Sequence, residues 1–155
     1  MTGRLAPWGH VRMAGYSGTP LPKKLGIKAG ARVGVSKAPP AFREALGELP
    51  DGVIVEDAGG KGGARSYDVV VAFVTATEEL VGAFERLRKR LDPAGGLWIG
   101  WPKKKNAAGI SSDVTENLVR DVGLATGLVD NKVCAIDETW SGLRLVIRKE
   151  LRAPT

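Results

Sequence analysis

The sequence predicts an α/β protein of three layers: a mainly parallel sheet, helices on both faces, and a C-terminal antiparallel hairpin. Three observations lead there. Helix and strand patterns alternate in the order α, β, α, β, β, α, β, α, β, β, and such alternation builds parallel sheets covered on both sides. The run YDVVVAFV at residues 67–74 is continuously apolar and rich in β-branched side chains, as a central strand shielded on both faces must be. The last two strand patterns are separated by Ser141-Gly142, a two-residue hairpin signal that makes them antiparallel neighbours.

Residues 1–15 mix Gly, Pro and isolated large side chains without a period and read as a flexible arm. Met13 is a second candidate start. A single domain spans 16–150, and 151–155 form a tail. Thr19-Pro20 opens a short helix, with a hydroxyl cap and proline in the first turn, that ends near Gly26. Ala31 to Ser36 read as a buried strand. Pro39-Pro40 end it and open a helix to about Leu49, with Phe42, Ala45, Leu46 and Leu49 on one face. Pro50-Asp51-Gly52 turn into the short strand VIVED. The glycine-rich loop 58–66 precedes YDVVVAFV. Thr77 then caps a helix to about Leu91, whose acidic first turn and basic last turn (Arg86, Arg88, Lys89, Arg90) suit its dipole. Asp92 to Gly96 turn into the strand LWIGW. Asp113 and Glu116 form a capping box for a helix from about Val114 to Thr126, stopped by Gly127. NKVCAIDETW and LRLVIRKE are the final strands.

At 155 residues with a net charge of +6, the chain can bury a full core. No apolar run approaches the roughly 18 residues a membrane helix needs, and the N-terminus lacks a signal-peptide core. One cysteine, Cys134, makes no internal disulfide and fits a reducing cytoplasm. The charge is uneven: residues 1–37 hold seven bases and no acids, while the rest hold sixteen bases and seventeen acids. A basic arm can contact nucleic acid, although solubility alone explains it.

The phrase LGIKAGARVGV, then a helix, YDVVVAFV, a helix, LDPAGGLWI and a terminal hairpin together resemble the frame of a class I S-adenosylmethionine-dependent methyltransferase. The phrases AGYSGTPLPKKLGIK, WPKKK, SDVTE and GLVDNKVCAIDETWSGLRLV resemble, over nearly the whole chain from Met13, the uncharacterised bacterial family catalogued as domain of unknown function 3052. These resemblances imply a Rossmann-like, methyltransferase-like fold and assign no activity. The connection before YDVVV is too short for the extra helix and strand of a full methyltransferase, so a trimmed version is implied.

A cofactor site of this kind needs glycine where the first strand turns into its helix. The chain offers VGVSKAPPAF instead, with no G-x-G and two prolines that remove donors; Lys37 there can meet an anion. Glu56 and Asp57 end the second strand, about 20 residues on, where an acid would hold ribose hydroxyls. The basic loop after LWIGW is the stronger ligand candidate. Lys103, Lys104 and Lys105, the Ser112 hydroxyl and a helix start suit a phosphate or carboxylate, and Trp101 can stack on a ring.

Other chemistry is weakly supported. The only histidine, His10, lies in the arm, which leaves no Ser-His-Asp or Cys-His set. No zinc spacing exists, and no carboxylate spacing argues for magnesium. Cys134 reads as a small buried residue. Asp137-Glu138 followed by Trp140 reads as a partner-facing or ligand-facing surface, or equally as Trp140 covering the sheet edge. The sequence therefore favours a non-catalytic module that binds an anionic or nucleotide-like ligand, or an acidic partner, through Lys37 and Lys103 to Lys105. The alternative is a small methyltransferase-like enzyme with a non-standard first turn, using S-adenosylmethionine. A second alternative is nucleic-acid binding through residues 1–37.

Overall fold

The computed structural model describes residues 19–58 and 66–152. The expectations for the arm, Met13, His10 and most of the glycine-rich loop lie outside these residues.

Ten elements follow in the expected order: α1 (Leu21–Leu25), β1 (Arg32–Ser36), α2 (Ala41–Leu46), β2 (Ile54–Asp57), β3 (Tyr67–Phe73), α3 (Thr77–Arg88), β4 (Leu91–Pro102), α4 (Glu116–Ala125), β5 (Leu128–Ala135) and β6 (Trp140–Ile147). A 3-10 turn over Lys149–Leu151 replaces the end of the expected final strand and the first residue of the expected tail. Helix α2 stops earlier than its apolar spacing suggested. Gly47 takes φ 67 and ψ −141, a conformation open essentially to glycine alone, and it breaks the helix.

The six strands form one sheet in the order β2-β1-β3-β4-β6-β5. Strands β1 to β4 are parallel, while β6 runs antiparallel to both β4 and β5. The hairpin thus returns its second strand inward, between β4 and β5. Helices α3 and α4 cover one face, where Leu80, Phe84, Leu87 and Val119 pack on Val70, Leu97, Ile99, Leu143 and Leu145. Helices α1 and α2 cover the other, with Leu25 and Phe42 on Val69, Val71, Phe73, Trp98 and Trp140. There the ring of Phe73 meets Phe42 and Trp140 edge-on, each at 5.1 Å between centroids. The Trp98 indole Nε1 donates to the Leu25 carbonyl at 3.0 Å, which ties α1 to the sheet.

The hairpin turn is not at Ser141-Gly142. It lies at Ile136 to Thr139, where Asp137 Oδ1 accepts the N–H groups of Thr139 and Trp140 at 2.8 and 2.9 Å. Such a carboxylate turn needs no glycine. Ser141 and Gly142 are strand residues opposite Trp101 and Gly100. Gly142 is small because a Cβ there would meet Ile136 Cδ1 at 3.0 Å and the Trp98 ring at 3.2 Å. Its role is close packing, which sequence alone reads as a turn. Trp140 is 7% exposed, so it covers the inside of the sheet.

Candidate functional site

The chain leaves β1 toward β2 on one side, then returns to place β3 on the other. Where strand order reverses in this way, the C-terminal strand ends open a crevice. The first turn, both acids, the start of α3 and the basic loop all lie along this edge.

At the end of β1, Lys37 takes φ 55, the one positive φ among the described non-glycine residues. The left-handed region costs an L-residue about 1–2 kcal/mol, and such strain persists only where surrounding contacts hold it. One contact is explicit: Lys37 Nζ lies 3.3 Å from Glu79 Oε2. Glu79 Oε1 in turn accepts Thr75 N at 2.8 Å, Thr75 Oγ1 at 3.1 Å and Ala76 N at 3.2 Å. The first turn is thereby tied to the β3–α3 turn.

Thr77 is not the cap of α3. Ala76 holds that position without a side-chain oxygen, and Glu79 reaching back takes the N–H groups of Thr75 and of Ala76 itself, the second half of a capping box. Hydrogen bonding to the Thr75 backbone, then to its hydroxyl and to Lys37, lowers the Glu79 pKa against the opposing effect of burial. A carboxylate with a lowered folded pKa stabilises fully above its unfolded pKa, and loses that contribution as pH falls through the folded value. Glu79→Ala is therefore expected to cost about 1 kcal/mol near neutral pH, the scale of a helix cap. That difference from wild type should shrink in urea melts below the ordinary glutamate range; a pH-independent difference would contradict the assignment.

Asp113 also departs from expectation. Helix α4 begins after Thr115, whose Oγ1 accepts Leu118 N at 3.2 Å. Asp113 Oδ1 instead accepts the N–H of Thr77 at 3.1 Å. A pattern read as a local capping box serves the N-terminus of a different helix and binds the loop after β4 to α3.

The two acids of β2 part company because successive strand side chains point to opposite faces. Glu56 is half-buried and accepts the Tyr67 hydroxyl at 3.0 Å. Asp57 is exposed and pairs in register with Val35, two residues before Lys37.

The basic loop is shaped by Asn106, which sequence reasoning missed. Its Nδ2 donates to the carbonyls of Lys103 and Ile110 at 2.8 and 3.1 Å, and its Oδ1 accepts Ile110 N at 3.0 Å. Asparagine ahead of a glycine in a polar stretch is the signal that marked such a turn. Lys104 and Lys105 are exposed and Lys103 is half-buried. They border a cavity of about 690 Å³ whose walls also include Trp101 and Ser112. Trp101 is only 7% exposed and belongs to the α3–α4 core, so little ring is left for stacking. Ser112 Oγ is already engaged with Val114 N at 3.0 Å. Lys37, Glu56 and Asp57 are not among the cavity walls, and the eight candidates therefore form two groups along one edge. Among the described residues no three of His, Cys, Asp and Glu gather as metal ligands. Cys134 is half-buried, with burial pushing its thiol pKa up.

No protein-family model and no curated protein matches the chain. Solved structures do. A SAM-dependent methyltransferase from Aquifex aeolicus superposes with a TM-score of 0.56 at 16% identity, covering 81% of this chain and 87% of that one. Magnesium protoporphyrin IX methyltransferase (ChlM) from Synechocystis PCC 6803, with bound SAH, gives 0.52 at 13% identity over 77% and 75%. LepI in complex with SAM gives 0.50 at 11% identity over 84% of this chain and 47% of its own, so this chain spans about half of LepI. The fold is the Rossmann-like, methyltransferase-like one. This overturns the reading as a non-catalytic binding module. That reading rested on a missing glycine turn and a missing catalytic set, whereas the fold is shared with methyltransferases and with proteins holding SAM or SAH. No helix of the described residues is long and apolar enough to cross a membrane.

Proposed function

We propose that the chain is a small S-adenosylmethionine-dependent, methyltransferase-like enzyme with a non-standard first turn. The observation that carries the reading is the switch point beside β1, where an exposed Asp57 and a left-handed Lys37 flank the position at which strand order reverses. Asp57 suits ribose hydroxyls. Lys37 adopts the left-handed backbone usually left to glycine, and so keeps the turn tight without one. Pro39 and Pro40 remove donors, a loss that matters most for a pyrophosphate; S-adenosylmethionine carries none.

When bound, this cofactor supplies an electrophilic methyl group on a sulfonium. The chain's part is to hold and orient. Asp57 grips the ribose, and the Lys37–Glu79 pair pins the turn. Lys103, Lys104, Lys105 and Ser112, with Trp101 in the wall, form the adjoining pocket for a phosphate-bearing or acidic acceptor. The phrase resemblance supports membership of the bacterial family of domain of unknown function 3052, and the lone cysteine supports a cytoplasmic setting.

Isothermal titration with S-adenosylhomocysteine at low salt tests this. Saturable heat is expected, with affinity falling at least about tenfold in Asp57→Ala, the scale of one charge-assisted hydrogen bond. A flat trace at millimolar ligand, or unchanged affinity in the variant, would end the proposal.

A further inference from the structure

A second cavity, of about 490 Å³, lies at the opposite end of the sheet, where the parallel strands begin. Its walls carry four cations, Lys24, Lys28, Lys132 and Arg144, and one acid, Asp68. The cations come from α1, the loop after it, β5 and β6, so the fold assembles what the sequence scatters.

Two features set this cavity apart. First, Lys132 on β5 pairs directly with Arg144 on β6. Like charges opposite one another destabilise an antiparallel pair. A break in register between Asp130 and Lys132 creates the juxtaposition, since an extra residue in one strand re-aims the side chains that follow. Asp130 accordingly turns to Arg120 of α4 at 2.9 Å, while Lys132 turns to the α1 side and donates to the Lys24 carbonyl at 3.4 Å. Second, Arg144 lies half-buried across Gly96, where a Cβ would come within 2.6 Å of its guanidinium carbon. The glycine makes room for the arginine.

The Arg144 guanidinium has no hydrogen-bond or ion-pair partner among the described residues. All seventeen acids of the chain fall within 19–58 and 66–152, so the remaining residues hold no acidic side chain to neutralise it. Asp68 Oδ2 is committed to Arg32 N at 2.8 Å. Lys24 Nζ donates to the Ala135 carbonyl at 3.1 Å, which fixes the ammonium and leaves further N–H groups to donate.

We propose that this cavity binds a small phosphate-class anion carrying at least two negative charges, held by Arg144, Lys132, Lys24 and Lys28. A guanidinium fork beside point-charge ammoniums suits phosphate oxygens, and the volume falls in the range of small-molecule pockets. The site stands at the far end of the sheet from the cofactor crevice and does not depend on that reading.

The test is titration and thermal unfolding of the full chain with sodium pyrophosphate, against sodium chloride at matched ionic strength. Saturable binding and a raised Tm are expected. Lys132→Glu places a carboxylate opposite Arg144. It should raise the Tm without pyrophosphate and weaken pyrophosphate binding at least about tenfold. Should that variant fail to fold, Lys28→Gln, at an exposed position, is expected to weaken binding severalfold with the fold intact. Stabilisation no greater than that by sodium chloride, or wild-type affinity in the folded variants, would overturn the proposal.

Discussion

Replacing Trp98 with alanine is expected to lower stability by about 3–5 kcal/mol, the scale for truncating a large buried aromatic side chain. Trp98 is fully buried and sits in β4 between Val71 of β3 and Arg144 of β6. Its ring fills the space between the sheet and α1. Truncation opens that space and strands the Leu25 carbonyl that accepts the indole N–H. Against a total of about 5–15 kcal/mol for a domain, this loss takes a large share. Trp98→Phe separates the two effects: most of the volume stays and the donor goes, so about 1–2 kcal/mol is expected. Urea denaturation checks both. A loss below about 1 kcal/mol for Trp98→Ala would mean that the centre of the sheet collapses around the deletion.

Gly34→Val is expected to lower stability by at least about 1–3 kcal/mol through overpacking, and to detach Tyr67 from Glu56. A Cβ at residue 34 would sit 2.7 Å from Ala58 Cβ and 2.9 Å from the Tyr67 ring. The tyrosine lies flush on β1 because residue 34 has no side chain, and this brings its hydroxyl to the Glu56 carboxylate. Coupling identifies the cause. Gly34→Ala made in an Ala58→Gly background should cost less than in wild type, because the nearest clashing atom is gone, whereas independent sites add. Strict additivity in urea melts would contradict the close-packing account.

The frame was legible because burial on both faces writes a continuous apolar run, as in β3, and because helices between strands force parallel pairing. What escaped sequence reasoning was long-range. Asp113 has the spacing of a local cap yet accepts from Thr77. Gly142 has the composition of a turn yet is needed beneath Ile136 and Trp98. The missing glycine in the first turn suggested a lost site, and only the backbone reveals Lys37 in the left-handed conformation that a glycine would take. The separation of Glu56 from Asp57 was readable from strand alternation; the tyrosine that claims Glu56 was not. The Lys132–Arg144 pair was hidden most deeply, since it depends on a break in register after Asp130 that simple alternation cannot reveal.

Amide chemical-shift mapping of the isotopically labelled protein with S-adenosylhomocysteine tests the claim that S-adenosylmethionine binds beside β1. Saturable shifts are predicted at Ser36 to Ala38, at Asp57 and at Thr75 to Thr77. An unchanged spectrum at millimolar ligand, or shifts confined to the Lys24, Lys132 and Arg144 end of the sheet, would contradict the claim.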